Sequence, residues 1–157
     1  MTKTCKYCNT LMSAEHYSDP YDSRKYKAFF VCPNCQAVMD GEYEAVKFYR
    51  IEDQIIISDK SLTVGTELIA NTVDAAQEKH VPVITISDDE VKVAVGSVEH
   101  PSLPAHYIEF IVLVTEGGMQ MKWLKPGDKP EAIFKITDKP VAAYEYCNLH
   151  GLWKAEA

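Results

Sequence analysis

Tyr107-Ile108-Glu109-Phe110-Ile111-Val112-Leu113-Val114 is the stretch whose reading decides the fold. It is almost continuously apolar and aromatic, which predicts a β-strand buried on both faces. Beyond it Gly117-Gly118 turns the chain. Met121-Lys122-Trp123-Leu124, Ala132-Ile133-Phe134-Lys135-Ile136 and residues 141–146 follow as further short runs, separated by Pro126-Gly127-Asp128 and Lys139-Pro140. Before it, Val91-Lys92-Val93-Ala94-Val95 alternates with a period of two. Short strands with turn signals about every ten residues predict a mainly β unit, an antiparallel sandwich or barrel.

Further toward the N-terminus, Val46-Lys47-Phe48-Tyr49, Ile55-Ile56-Ile57 and Leu62-Thr63-Val64 are β-prone runs parted by charged and turn residues, and residues 44–70 read as a β-rich connector. Asn71-Thr72-Val73-Asp74-Ala75-Ala76-Gln77-Glu78 reads as the start of a short helix with Asn71 or Thr72 as its cap. Pro82 requires the helix to end by Val81.

Residues 1–43 are of another kind. Cys5-Lys6-Tyr7-Cys8 and Cys32-Pro33-Asn34-Cys35 bracket 23 residues, including a polar, tyrosine-rich segment with little to bury. Two such knuckles presenting four sulfurs to one ion can fold a segment too small for a core of its own. A small four-cysteine ribbon domain is therefore expected, and its cage suits zinc or iron equally. His16 has no ligand-like neighbour and reads as a solvated loop residue outside that site.

Over 157 residues the formal net charge is -7, which weighs against a nucleic-acid surface but leaves room for a small anionic substrate. Apolar residues make up 46%, enough for a sizeable core, with no run long enough to cross a bilayer. The N-terminus shows no basic region followed by an apolar stretch, so a soluble, cytoplasmic protein with reduced cysteines is expected.

The fifth cysteine stands alone. In Tyr146-Cys147-Asn148-Leu149-His150-Gly151 a thiol and an imidazole lie three residues apart, which is metal-ligand spacing. His80, His100 and His106 fall in the same half of the chain, each in a loop or at the end of an element. Singly, each reads as a surface or structural histidine. Together with Cys147 and His150 they read as one metal site on a rigid β-scaffold. Structural zinc is satisfied by four ligands, so five point to a redox iron with one position open. Ferrous iron with one thiolate and four neutral imidazoles carries a single positive charge, which attracts a small anion.

These residues also resemble a known family. Glu78-Lys79-His80-Val81-Pro82-Val83-Ile84, His100-Pro101, His106-Tyr107-Ile108-Glu109, Leu124-Lys125-Pro126-Gly127 and Tyr146-Cys147-Asn148-Leu149-His150-Gly151 are similar to the motifs of superoxide reductases of the desulfoferrodoxin and neelaredoxin family. The resemblance spans residues 71–157. It implies an immunoglobulin-like β-sandwich with a mononuclear non-haem iron, His80, His100, His106 and His150 equatorial and Cys147 axial. It implies one-electron reduction of superoxide to hydrogen peroxide, with electrons from rubredoxin or a similar donor, in a cytoplasmic homodimer. It also turns Glu78 and Lys79 from a solvated ion pair into catalytic candidates. The lysine would attract superoxide and orient a proton-bearing water, and the glutamate would act when peroxide departs.

Two features depart from the family's pattern. Desulfoferrodoxins usually close their N-terminal iron site with adjacent cysteines, where this chain has Cys32-Pro33-Asn34-Cys35, a rubredoxin-like or zinc-ribbon-like knuckle. Phe110 stands where a tryptophan is common, and Ser102-Leu103-Pro104-Ala105 replaces a more charged loop, neither at a ligand position. A non-catalytic electron-transfer or metal-binding protein is the alternative reading. A zinc-ribbon adaptor accounts only for the N-terminal cysteines.

Overall fold

The computed structural model describes residues 2–4, 11–18, 26–31, 34, 38–40, 46–58 and 61–157. The chain divides into two compact units, 1–45 and 46–157.

In the first unit, β1 (Thr2–Thr4), β2 (Leu11–Ser18), β3 (Tyr26–Val31) and β4 (Val38–Asp40) form an antiparallel sheet in the order β1-β2-β3-β4. His16, expected in a loop, lies instead within β2 opposite Ala28. The β-prone Phe29-Phe30-Val31 in the partner strand favours extended pairing there over a polar loop. Cys5, Cys8, Cys32 and Cys35, and with them the expected four-sulfur site, lie outside the described residues.

The second unit opens with β5 (Lys47–Ile51), β6 (Gln54–Ser58) and β7 (Thr66–Leu68), paired as β6-β5-β7. A short helix α1 (Gln77–His80) precedes β8 (Pro82–Ser87), β9 (Glu90–Val95), β10 (Ile108–Thr115), β11 (Gly118–Trp123), β12 (Glu131–Lys135), β13 (Pro140–Cys147) and β14 (Gly151–Glu156). One antiparallel sheet runs β11-β10-β13-β14 and the other β12-β9-β8, giving an immunoglobulin-like β-sandwich rather than a closed barrel.

The alternation of β9 is the simplest part of the core. Val91, Val93 and Val95 point inward against Ile111, Leu113, Ala132, Phe134 and Ala143, and all are buried. Each large aliphatic chain removed from water here contributes about 1.5–3 kcal/mol. The central strands β10 and β13 are buried on both faces, which is why 107–114 carries so few polar residues. Their second face bears Phe110, Val112, Val114, Tyr144 and Tyr146. The β6-β5-β7 sheet covers it: Phe48 is 1% exposed, with its ring 4.8 Å from that of Tyr144 and 6.2 Å from that of Phe110. The strands β5, β6 and β7, which fall within the 44–70 stretch read from sequence as a connector, thus contribute a layer to this unit.

A register shift between Ile108 and Phe110 in the β10–β13 pairing positions the functional end of the sandwich. One extra residue reverses the facing of everything before it. Ile108 consequently joins Ile111 and Leu113 in the inter-sheet core, opposite Cys147, while Phe110 turns to the aromatic face.

The helix is shorter than the expected one, and Asn71 and Thr72 do not cap it. Asn71 adopts a left-handed φ of 61°; its amide accepts from Lys154 N at 2.8 Å and donates to Lys154 O at 3.1 Å, tying it to β14. Thr72 Oγ1 donates to Ile69 O at 2.8 Å. With both side chains committed elsewhere, helix begins only at Gln77. No helix among the described residues is long and apolar enough to cross a membrane.

Candidate metal centre

The five residues singled out in the sequence meet at one end of the sandwich. His80 closes α1, where Val81 N donates to Gln77 O at 2.9 Å and Pro82 starts β8. The turn after β9 docks on this helix: Val98 N donates to Glu78 O at 2.9 Å, Ser97 Oγ to the same oxygen at 3.3 Å, and Gly96 N to Val81 O at 3.2 Å. Gly96 has a φ of 80°, and a Cβ there would strike the Val98 carbonyl and lie 2.7 Å from Glu78 O. Only glycine fits that approach.

His100 and His106 hang from the loop between β9 and β10. Leu103 and His106 exchange backbone hydrogen bonds of 2.9 and 3.0 Å, and Pro101 and Pro104 stiffen the loop. Asn148 anchors it to the β13–β14 turn. Its Oδ1 accepts from Tyr107 N at 3.0 Å and its Nδ2 donates to Ala105 O at 3.1 Å, so it holds both neighbours of His106. Cys147 ends β13 and His150 sits in the turn before Gly151.

One ligand atom from each of His80, His100, His106, Cys147 and His150 lies within 4.8 Å of all the others. The four imidazoles form a ring in the order 80, 100, 106, 150. Neighbouring centroids are 4.6–4.9 Å apart and nearly perpendicular, and the His80–His106 diagonal is 6.4 Å. Carbonyl partners settle which nitrogens face inward. His80 Nδ1 donates to Ala76 O and His100 Nδ1 to Pro101 O, each at 2.7 Å, which leaves Nε2 of both as the lone-pair donor. His150 turns Nδ1 inward, 3.6 Å from Cys147 Sγ and 3.0 Å from His80 Nε2.

Burial is the main cause of the depressed pKa values of His80, His100 and His106, partly opposed at His80 and His100 by their carbonyl partners. His100 is pushed down to about 4. Neutral imidazoles are the ligand form. Burial raises the Cys147 thiol, against the pull of the Leu149 and His150 backbone N–H groups, so a cation must displace its proton.

The donor set fits a metal ion. His100 Nε2 and His106 Nε2 are buried without a hydrogen-bond partner, a cost that coordination removes. Five donors exceed what structural zinc uses and match iron.

Glu78 and Lys79 are exposed on α1 immediately before His80, and the Lys79 charge bears on both His80 and His106. Sequence reading missed three contributors. Asn148 was hidden inside the ligand motif. Glu145 is fully buried with neither carboxylate oxygen hydrogen-bonded, and burial raises it well above the carboxylate range. Its signal was the two-residue step to Cys147, which puts both on one face of β13. Trp153 stacks on His80, and only its position three residues after His150 hinted at this.

Four imidazoles and one thiolate at the end of an immunoglobulin-like sandwich define a mononuclear non-haem iron site. The desulfoferrodoxin family model matches residues 72–156, and the chain belongs to the desulfoferrodoxin family. Desulfoferrodoxin from Desulfarculus baarsii is 55% identical over 126 residues, covering 80% of this chain and 90% of that protein. Desulfoferrodoxin from Nitratidesulfovibrio vulgaris is 58% identical over 86 residues, covering 55% of this chain and 68% of that protein. Among solved structures, the superoxide reductase from Treponema pallidum matches with 37% identity and a TM-score of 0.58, over 77% of this chain and 93% of that one.

Proposed function

We infer that the chain is a superoxide reductase, taking superoxide, one electron and two protons to hydrogen peroxide. The observation that carries this is the convergence of four imidazoles and one thiolate within 4.8 Å. Iron held by His80, His100, His106, Cys147 and His150 would supply the one-electron chemistry, with an external donor restoring it. The chain keeps three of the imidazoles neutral by burying them and commits the outer nitrogens of His80 and His100 to carbonyls. An iron held by these five donors would have room for one further ligand, such as a small anion.

Lys79, exposed and electrostatically coupled to His80 and His106, draws the anion in and orients a water for proton delivery. Glu78, beside it on α1, acts at product departure. All five iron ligands lie within residues 71–157. Residues 1–43 form an accessory four-cysteine domain, with iron or zinc held by Cys5, Cys8, Cys32 and Cys35. Rubredoxin or a similar protein is the donor, and the working form is a cytoplasmic homodimer.

The test is to mix prereduced, iron-loaded protein with superoxide and count products. One hydrogen peroxide per superoxide consumed, with no dioxygen released, is expected. Superoxide decaying at the buffer's own rate would leave a non-catalytic electron-transfer or metal-binding protein instead.

A further inference from the structure

We propose that Trp153 is a positioning residue for the iron centre, fixing the ring plane of His80 and the turn that carries Cys147 and His150. This rests on the reading of the five residues as iron ligands. Trp153 lies on β14 opposite Glu145 and is 1% exposed. Its ring stacks on the His80 imidazole at 4.9 Å and 22°, whereas His100 and His150 meet His80 edge-on at 74° and 85°. Its Nε1–H donates to His150 O at 3.1 Å. One side chain therefore touches two ligands 70 residues apart in sequence.

The two contacts do different work. The 2.7 Å bond from His80 Nδ1 to Ala76 O fixes one ring nitrogen but leaves the imidazole free to swing about that bond. An aromatic plane against its face removes the swing, excludes water from that side and holds Nε2 on target. The indole N–H instead pins the carbonyl of the 148–150 turn. The backbone N–H groups of Leu149 and His150 in this turn favour the Cys147 thiolate against the effect of burial. Fixing the turn fixes those donors, and with them the electron density that the thiolate offers to a metal.

Two variants of the full chain separate these contacts. Trp153→Phe keeps a stacking ring and loses the N–H; Trp153→Leu loses both. The readouts are the ferrous iron dissociation constant, by anaerobic competition with a chelator, and the energy of the thiolate-to-iron charge-transfer band of the oxidised protein. Trp153→Leu is expected to weaken iron binding by about 10–100-fold. Trp153→Phe is expected to shift the band while losing less affinity. Parent-like affinity and band energy in both variants would overturn the proposal, and if Trp153→Leu does not fold, Trp153→Phe decides it alone by its band. A parent protein that takes up iron without any charge-transfer band would defeat the iron–thiolate reading itself, and this proposal with it.

Discussion

At one end of the sandwich, β8 and β9 join through Asp88-Asp89, and β10 and β11 through Glu116-Gly117. At the other end, residues 96–107 and 124–130 form longer excursions that carry or brace the ligands. The short turns are dressed with surface ion pairs, Lys135 to Asp89 at 3.2 Å and to Glu90 at 3.3 Å. The long loops are cross-linked by hydrogen bonds between side chain and backbone: Tyr107 N donates to Asn148 Oδ1, Asn148 Nδ2 to Ala105 O, and Gly127 N to Ser102 Oγ. A two-residue turn is nearly fixed by its own geometry. A long loop is not, so an end that must aim five side chains at one point needs directional bonds.

If this contrast is right, substitutions at the ligand end should outrank those at the turn end. Cys147→Ser is expected to have the largest effect. Serine provides no sulfur orbital, so the visible charge-transfer band should vanish while the imidazoles retain part of the iron. An unchanged spectrum would remove Cys147 from the site.

Asn148→Ala removes the half-buried partner of Tyr107 N–H and the exposed tie to Ala105 C=O. Unfolding in denaturant should show a loss of about 1–2 kcal/mol, and chelator competition about tenfold weaker iron. A normal iron affinity would mean that the loop holds His106 without this bond.

Acid should act through the imidazoles. His100 ordinarily titrates at 6.5 and is held at about 4 in the fold. Between those values the unfolded chain binds a proton that the folded chain refuses. Stability therefore falls as pH drops from 6.5 toward 4 and is level above 6.5 with respect to this group. Chelator-stripped protein should show this as a falling Tm, with a shallower slope in His100→Asn; equal slopes would exclude His100 as the cause.

Lys79→Ala should slow the second-order reaction of ferrous protein with superoxide several-fold and flatten its dependence on ionic strength. Glu78→Ala should leave that step nearly unchanged. Pulse radiolysis at two salt concentrations checks both, and a parent rate indifferent to salt would refute steering. Last, Lys135→Ala at the turn end should change neither Tm nor iron content measurably, since exposed ion pairs contribute little. A clear drop there would break the contrast.

Most of the sandwich was legible because its strands carry their own patterns. The period of two in 91–95 and the apolar run at 107–114 each correspond to a burial profile. The cluster of four histidines and Cys147 was legible because histidine and an odd cysteine are scarce enough to stand out. What stayed hidden depends on tertiary partners. Asn71 looks like a helix cap until β14 claims its amide. Phe48 looks like part of a linker until Phe110 and Tyr144 offer it a face. Trp153 looks like core, and it is core, but the ring it packs against is His80 of the five-residue cluster.

The contact at Gly96 has an evolutionary consequence. The turn after β9 holds α1 through the Glu78 and Val81 carbonyls and a bare α-carbon. The address of His80 is thus written in main-chain atoms, which residues 78 and 79 share whatever side chains they carry. Drift at those two positions can retune the charge on the exposed side of α1 while His80 stays in place. Position 96 has no such latitude, because any side chain there displaces the helix and the imidazole with it.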